Sequence, residues 1–291
     1  MYRLFFGSLL LCFMQSAMAQ QHSMALGIYS GMTVPYTFDE GITEDPRYQE
    51  RFTGKFAPVG ISFSLDYKGF GLITSPGLIT LGQNFSIANI YGGHDGRRII
   101  NLNYLNVPVG IKIHIIDLSF FRVSGIASIS TAYLLNASDK ITHSETKLTF
   151  PDQTVLPDNY IREYDGVLVP RLKNQTVIPK EGYNSLQFFA AAGIRSDWDV
   201  SNTIRVSFDF RVNYGLTDPR SDDYIKQVEN YQALYDTPGR RNEMFVQLSL
   251  GIARYIDWDK NDKARQKGIK GGSGKIFPGK KSTPKRRRPR G

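Results

Sequence analysis

Residues 202–215 constrain the fold of this chain more than any other stretch, because apolar and polar side chains alternate strictly along them. The apolar positions run from Ile204 to Tyr214 and include three aromatic residues, whereas Arg205, Asp209 and Arg211 lie on the opposite face. Strict alternation is typical of a β-strand with two different faces. A length of about ten or more residues suits a tilted strand that crosses a membrane. Taken alone, the stretch also fits a long surface hairpin of a soluble β-domain.

Seven other segments alternate or are rich in aromatic residues, so the chain offers eight candidate strands. They span residues 23–34, 56–67, 70–87, 99–115, 118–135, 185–199, 202–215 and 243–256. The connections after the second, fourth and sixth segments are short, whereas the others are long: residues 35–55, 88–98, 136–184 and 216–242. Short turns at one end and long loops at the other are typical of an up-and-down barrel in the outer membrane.

A sheet in lipid must close, since its backbone polar groups have to be satisfied internally. The sequence therefore predicts an all-β fold, an eight-stranded antiparallel up-and-down transmembrane β-barrel over residues 20–258, with both termini on the periplasmic side. A loop as long as residues 136–184 is uncommon unless it has a function. We expect it to form a hairpin extension or a cap that contacts a partner.

The N-terminus has the layout of a secretory signal peptide over residues 1–19. Arg3 precedes a short apolar core, and Ala17 and Ala19 take the small-residue positions before the expected cleavage site. This predicts an exported protein of the outer membrane and disfavours a buried first helix. Cys12, the single cysteine, lies inside the segment, so the processed chain has no disulfide available.

The formal charge of +9 comes from the C-terminal end of the chain. Residues 257–291 hold thirteen Lys and Arg against three Asp, a net of +10, so the preceding residues sum to −1. A segment this polar cannot bury enough surface to fold alone, which predicts a disordered cationic periplasmic tail over residues 259–291. Its charged positions include Lys280, Lys281, Lys285, Arg286, Arg287, Arg288 and Arg290. The tail is expected to be either a solvated extension or a contact for anionic cell wall, lipid or protein, and no nucleic-acid partner is expected in the periplasm.

Charged residues also lie on the predicted inward faces of the strands. An eight-stranded barrel has an interior only wide enough for side chains to fill it. An unpaired buried charge is strongly unfavourable, so these residues are expected to pair with one another in a lumen network. The predicted members are Asp66, Lys112, Arg195, Asp197, Arg205, Asp209 and Arg211.

Residues 104–112 carry a resemblance to a known group. Their sequence, Tyr-Leu-Asn-Val-Pro-Val-Gly-Ile-Lys, is similar to the Tyr-Leu-x-x-Pro-x-x-x-Lys fourth strand of outer-membrane β-barrel proteins of Bacteroidota, the group that includes the PorT-like proteins. With the signal peptide and strand layout, the likeness covers about residues 20–258. The resemblance implies a barrel fold and a role in type IX protein secretion and gliding. The basic tail is not part of that pattern.

The sequence contains no recognised catalytic, cofactor-binding or metal-binding motif. The pairs His94–Asp95 and Asp222–Asp223 are adjacent residues, which point to opposite faces of a strand and so cannot converge on one site. We therefore expect a non-enzymatic outer-membrane barrel without a cofactor, acting as a structural or accessory subunit of a membrane assembly. Its expected partners are outer-membrane lipid and periplasmic or secretion-complex proteins. A periplasmic tether that grips the cell wall through the tail and a barrel enzyme acting at the outer rim are the alternatives.

Overall fold

The computed structural model describes residues 23–56, 58–67, 69–118 and 120–257 of the 291-residue chain. The predicted signal peptide over residues 1–19, with Cys12, and the predicted basic tail over residues 259–291 lie outside the described residues. Among the described residues, no helix is long and apolar enough to cross a membrane.

β-strands dominate the described part of the chain. In chain order the strands are β1 (Ser23–Asp39), β2 (Tyr48–Arg51), β3 (Val59–Tyr67), β4 (Phe70–Thr74), β5 (Gly77–Leu81), β6 (Asn84–Ala88), β7 (His94–Asp117), β8 (Phe121–His143), β9 (Thr146–Leu148), β10 (Ile161–Glu163), β11 (Gly166–Val169), β12 (Leu172–Thr176), β13 (Leu186–Asp199), β14 (Ile204–Gly215) and β15 (Arg241–Asp257). Two short helices, α1 (Glu40–Glu44) and α2 (Asp222–Glu229), and a 3-10 turn at Lys180–Gly182 lie in the connections. The fold is an all-β, antiparallel, up-and-down sheet.

Antiparallel pairing runs from strand to strand around the main sheet. β1 pairs with β3, which pairs with β4 and β5, and these two pair with β7. β7 pairs with β8, β8 with β13, β13 with β14, and β14 with β15. β15 pairs with β1 over its whole length, from Ser23 opposite Asp257 to Asp39 opposite Arg241. Following the partners in order therefore leads back to β1.

The outward face of these strands is apolar. Exposed side chains there include Leu26, Ile28, Ile61, Leu72, Val107, Val109, Ile111, Ile129, Ile194, Phe208, Phe210, Leu250 and Ile252. Aromatic pairs lie near both ends: Tyr67 packs on Phe70 and Phe121 on Trp198 at the short turns, whereas Phe38 packs near Tyr214 at the long loops. Along β14, the ten residue steps from Ile204 to Tyr214 correspond to a rise of about 25 Å at the tilt of about 40° typical of barrel strands. This height matches the apolar band of outer-membrane barrels.

The connections are short at one end of the sheet and long at the other. β3 turns into β4 at Gly69, whose φ of +87° is readily available to glycine but costly for other residues. β7 turns into β8 and β13 into β14 through a few residues each. The connection at residue 68 in the first of these turns lies outside the described residues.

The third predicted segment, residues 70–87, is divided into β4, β5 and β6. β4 ends at Thr74, and Pro76 lies in the gap before β5, where a residue without an amide hydrogen cannot donate to a sheet ladder. The second gap contains Gly82, which has a φ of +91°. All three pieces nevertheless keep the same register against β7, from Thr74 opposite Val109 to Asn84 opposite Ile99. The sequence pattern predicted one strand over residues 70–87, and the structure breaks it at these two gaps.

The long loops contain more regular structure than the sequence pattern predicted. β7 and β8 stay paired out to Gly96 opposite His143, well past the predicted segment ends. There β6 and β2 add to the β7 side and β12 adds to β8, while β9, β10 and β11 form a separate three-stranded sheet. We call residues 40–51, 84–103, 136–184 and 216–240 the cap. The predicted extension of residues 136–184 is thus a set of strands, and the last long loop contains α2.

Candidate functional site

Asp66 is the centre of an ion-pair cluster on the inward face near the short turns. Its Oδ1 atom lies 2.6 Å from Nζ of Lys112, and its Oδ2 atom lies 3.0 Å from Nη1 of Arg122 and 3.0 Å from Nη1 of Arg205. The four side chains come from β3, β7, β8 and β14, and all are nearly or fully buried. Because three cations surround one carboxylate, Asp66 joins four different strands through the middle of the sheet.

The cluster continues toward the long loops as a chain of alternating charges. Nζ of Lys112 is 3.7 Å from Oδ2 of Asp197, and Nε of Arg195 donates to Oδ1 of the same carboxylate at 2.8 Å. Arg195 also pairs with Asp209 at 3.5 Å, and Nη2 of Arg211 donates to Asp209 at 2.6 Å. The structure therefore brings together all seven residues of the expected lumen network: Asp66, Lys112, Arg195, Asp197, Arg205, Asp209 and Arg211. Lys280, Lys281, Lys285, Arg286, Arg287, Arg288 and Arg290 lie outside the described residues.

Three further members of the network were missed at the sequence level. Arg122 pairs with Asp66 and, through Nε at 3.0 Å, with Asp117. Arg205 pairs through Nε with Asp199 at 2.7 Å. Asp117, Arg122 and Asp199 lie beside the short turns, where alternation ends and the direction of a side chain is not evident from the pattern. Their positions next to the short turns, close in the sequence to predicted inward charges, could have identified them.

The inward side chains next to the network leave little empty space. Hydroxyl-bearing and amide side chains follow the charged layer, and Tyr29 Oη donates to the Ser75 carbonyl at 2.9 Å. The cavity that Tyr29 and Ser75 line together with Arg195, Asp209 and Arg211 has a volume of only about 10 Å³. That volume is about the minimum needed by one water molecule, so this layer is filled by side chains.

Apolar side chains replace the ionic ones where the sheet meets the cap. The buried set includes Ile79, Leu81, Phe85, Ile87, Ile100, Leu102, Tyr104, Leu134, Ile141, Leu148, Phe150, Val167, Val169, Ile178, Phe189, Tyr224, Val228, Tyr235 and Phe245. These residues come from the main sheet, the three-stranded sheet and α2, so one core joins the strands to the long loops. The prediction of an ionic interior therefore describes the end near the short turns but omits this apolar core.

A second set of ion pairs ties the cap together inside that core. Arg98 donates to Asp139 at 2.7 Å from Nη2 and to Asp236 at 2.5 Å from Nη1. Arg241 pairs with Asp39 and, at 3.4 Å, with Asp236, and all of these side chains are almost fully buried. Burial alone would raise the pKa of the Asp236 carboxyl, but the adjacent guanidinium groups of Arg98 and Arg241 outweigh it and hold that pKa well below its usual range. Asp236 is therefore a buried anion that joins the last long loop to β7 and β15.

Hydrogen bonds from two neutral tyrosine side chains complete the same cluster. Tyr183 Oη donates to Oδ2 of Asp139 at 3.1 Å, and Tyr224 Oη donates to Oδ2 of Asp236 at 2.8 Å. Tyr224 is on α2, whose first turn is capped by the Ser221 hydroxyl. Burial, together with the neighbouring Asp236 carboxylate, raises the pKa of the Tyr224 phenol, so it remains a donor. The cap is thus fixed by charge-assisted hydrogen bonds from several loops.

The described residues also contain one serine–histidine–aspartate contact. His114 Nδ1 lies 2.8 Å from the Ser124 hydroxyl, and His114 Nε2 lies 3.7 Å from Asp66. The second distance is too long for a hydrogen bond. Ser124 is fully buried, and Asp66 is already shared by three cations. The contact therefore belongs to the interior network and offers no access to a substrate. No three His, Cys, Asp or Glu side chains of the described residues are placed to hold a metal ion.

An open groove crosses the outer surface of the cap. It has a volume of about 740 Å³ and is lined by residues from β2, β6, β7 and β8 and by Arg171, which precedes β12. Arg51, Arg97 and Arg171 are exposed along it, and none of the three makes an ion pair within the described part of the chain. His94 and Asp95, which drew attention in the sequence, also line this groove.

Three solved structures are among those similar to this chain. OprG from Pseudomonas aeruginosa has a TM-score of 0.38 and 8% identity, with 82% of this chain and 97% of that chain covered. The outer membrane protease OmpT from Escherichia coli has a TM-score of 0.36 and 8% identity, with 82% and 98% covered. Ail, the attachment invasion locus protein of Yersinia pestis, was solved with the heparin analogue sucrose octasulfate. It has a TM-score of 0.34 and 8% identity, with 81% and 100% covered.

No curated protein sequence matches this chain. A family model described as the outer membrane protein beta-barrel domain matches residues 13–219, more than two thirds of the 291 residues. That match includes the strands that carry Asp66, Lys112, Arg195, Asp197, Arg205, Asp209 and Arg211. This chain belongs to the outer membrane protein beta-barrel domain family.

Proposed function

We propose that this protein is a non-enzymatic, non-conducting eight-stranded barrel of the outer membrane whose cap is a docking platform within a membrane assembly. The closed eight-stranded form is supported by the pairing path that starts at β1 and returns to it through β15. β4 and β5 count as one strand in this path because their registers against β3 and β7 are continuous. The outward apolar band then faces lipid.

The ion-pair network around Asp66 is the observation that carries this proposal. It places buried charges from β3, β7, β8, β13 and β14 across the interior, where a pore would need water. The apolar core beneath the cap fills the other end. A barrel filled in this way is expected to act through its outer surface and not by passing a solute.

Conductance in a planar lipid bilayer tests the filled interior. The full chain is expected to insert without producing stable current steps, whereas a porin of known conductance serves as the positive control. Regular steps from the full chain, with the folded protein verified in the same sample, would contradict the non-conducting proposal. Absence of insertion would instead contradict the proposed membrane location.

A role in type IX secretion and gliding is the finer part of the proposal, and it rests on the PorT-like resemblance of residues 104–112. Both ends of that segment face the interior: Tyr104 is fully buried under the cap, and Lys112 pairs with Asp66. The test is removal of the protein from its host, followed by measurement of cargo secretion and surface motility. A specific loss of both, restored by the intact chain, is expected; normal secretion and motility would contradict this assignment.

The cap supports the docking role because it is folded onto the sheet through a shared apolar core and contains buried ion pairs. We propose that it faces the exterior and that the predicted tail extends into the periplasm, where it either remains solvated or tethers the barrel to anionic partners. Cross-linking in intact membranes, followed by affinity purification, separates these roles. Docking through the cap predicts that truncation after Asp257 keeps the co-purified proteins. Their loss from a folded, truncated barrel would favour the tether.

A further inference from the structure

We infer that the groove on the cap binds the phosphorylated sugars of an outer-leaflet glycolipid, through a set of outward-facing cations that we call the basic strip: Arg51, Arg97, Lys140 and Arg171. The inference deepens the proposed function, because it requires the cap to lie on the outer side of the membrane. It assigns the groove a ligand class, a saccharide that carries phosphate groups.

The strand register places three of these cations on one face of the cap. One cross-strand row contains Arg51, Asn84, Ile99 and Lys140, on β2, β6, β7 and β8. The next row contains Gln49, Ser86, Arg97 and Thr142 on the same four strands. Since positions two apart on a strand point to the same face, both rows share one surface. Their neighbours Arg98 and Asp139 are buried on the opposite face.

The spacing suits a ligand with more than one anionic group. Neighbouring strands are separated by about 4.8 Å, so Arg51 and Lys140 are about 14 Å apart along their row, and Arg97 lies between them in the next row. An arginine guanidinium can donate two parallel hydrogen bonds to a phosphate, which makes arginine well suited to phosphate recognition.

The cations of the basic strip are free to bind an anion. Within the residues that the structure describes, none of the four has a carboxylate within ion-pair distance. Two carboxylates line the groove, but Asp95 accepts hydrogen bonds from Asn89 and Thr146, and Glu50 accepts one from Tyr36. Arg51, Arg97 and Arg171 line the groove and Lys140 lies beside it on the same face, so the cations outnumber the two engaged carboxylates and the surface is positively charged.

The height of the basic strip selects the glycolipid as the source of the phosphate. Leu105 is the last exposed apolar residue of β7 toward the cap, and Arg97 lies eight positions beyond it. At the rise and tilt of a barrel strand this is about 20 Å above the apolar band. Lys140, five positions beyond the exposed Leu135 on β8, is about 13 Å above it by the same estimate. The sugars of a glycolipid anchored in the outer leaflet occupy this level.

Binding to purified lipopolysaccharide tests the inference with the folded full chain in detergent micelles. The triple variant Arg51→Gln, Arg97→Gln, Lys140→Gln is expected to weaken binding by about tenfold or more, and increasing salt should weaken wild-type binding. The matched control is Arg162→Gln, Lys180→Gln, Lys226→Gln, which removes the same charge from exposed cap positions outside the groove. It should bind as the wild type does. Dephosphorylated lipopolysaccharide should bind the wild type weakly.

Three results would overturn the inference. These are equal loss of binding in the two triple variants, full binding of the dephosphorylated lipid, and displacement of the lipid by inorganic phosphate at the same phosphate concentration. The last result would assign the groove to free phosphate instead. Heat-dependent gel mobility and insertion into vesicles are measured on the same samples. An inserted barrel that does not bind the lipid contradicts only this inference, whereas a chain that does not insert contradicts the proposed function itself.

Discussion

Nη1 of Arg98 donates a 2.5 Å hydrogen bond to Oδ1 of Asp236, which joins β7 to a loop residue 138 positions later in the chain. Both side chains are almost completely buried. Asp236 also accepts a hydrogen bond from Tyr224 and lies close to Arg241. This carboxylate is therefore the point at which the last long loop is fixed to the rest of the cap.

Asp236→Asn should loosen the cap without opening the membrane-spanning sheet. Removing one partner of a buried ion pair costs about 3–5 kcal/mol, because the remaining charge is left uncompensated. Hydrogen exchange should increase in residues 216–240 and in the paired part of β7, and limited proteolysis should cut the cap faster. Asp223→Asn, at an exposed position that pairs with Lys226, is the control and should leave both readouts unchanged. Equal protection in the two variants would contradict this role for Asp236.

The lowered pKa of Asp236 determines how the stability of the cap changes with pH. The pKa of Asp236 is held below its usual range in the folded protein, so its stabilising contribution is fully present above the unfolded value of about 3.9. As the pH falls below about 4, the unfolded state binds the proton more readily and this contribution is progressively lost. Cap proteolysis measured from pH 7 to pH 3, with an acid-active protease, should accelerate below about pH 4. In Asp236→Asn, the rate of cap proteolysis should increase less between pH 7 and pH 3. The same increase as in the wild type would mean that Asp236 does not cause the acid sensitivity.

Asp66→Asn should destabilise the membrane-spanning part. It leaves Lys112, Arg122 and Arg205 facing one another without the carboxylate that they share, at a cost of about 3–5 kcal/mol. Denaturant unfolding of protein refolded into vesicles measures the change in free energy of unfolding. Asp152→Asn, whose side chain is 98% exposed, is the control and should have almost no effect. Adding Lys112→Met to Asp66→Asn should recover part of the loss, because one uncompensated cation is then removed.

Phe208→Arg tests the outward face. Phe208 lies midway along β14 on the apolar face, and an arginine at the bilayer midplane costs about 2–4 kcal/mol in a barrel. Folding into vesicles should become less favourable by about that amount. The control is Val155→Arg, which places the same residue at an exposed apolar position of the cap. Comparable effects of the two substitutions would contradict a lipid-facing β14.

Alternation along the chain predicts that the seven charged residues lie on one face, and the structure joins them through ion pairs. Asp66, Lys112 and Arg205 lie in long regular strands, where a residue two positions away always shares the same face. The short turns were also evident from the sequence, because the apolar pattern stops there. The outer membrane protein beta-barrel domain match agrees with this reading of the fold.

The cap could not be predicted in the same way. Arg98, Asp139 and Asp236 come from two strand extensions and one irregular loop, and no period in the sequence relates them. Their association depends on the register of β7 against β8 beyond the lipid-facing band and on where the loop after α2 returns. The basic strip could not be predicted for the same reason, since Arg51 and Lys140 come to lie in one cross-strand row only through the pairing of β2, β6, β7 and β8.

Cysteine cross-linking in native outer membranes tests the closed barrel most directly. Leu26 lies opposite Phe63 of β3 on one side and opposite Arg254 of β15 on the other. Leu26→Cys combined with Phe63→Cys, and Leu26→Cys combined with Arg254→Cys, should both form disulfides in protein that fractionates with the outer membrane. A cross-link of the first pair without the second would mean an open sheet, and recovery of the protein in the soluble fraction would mean that the sheet does not lie in lipid.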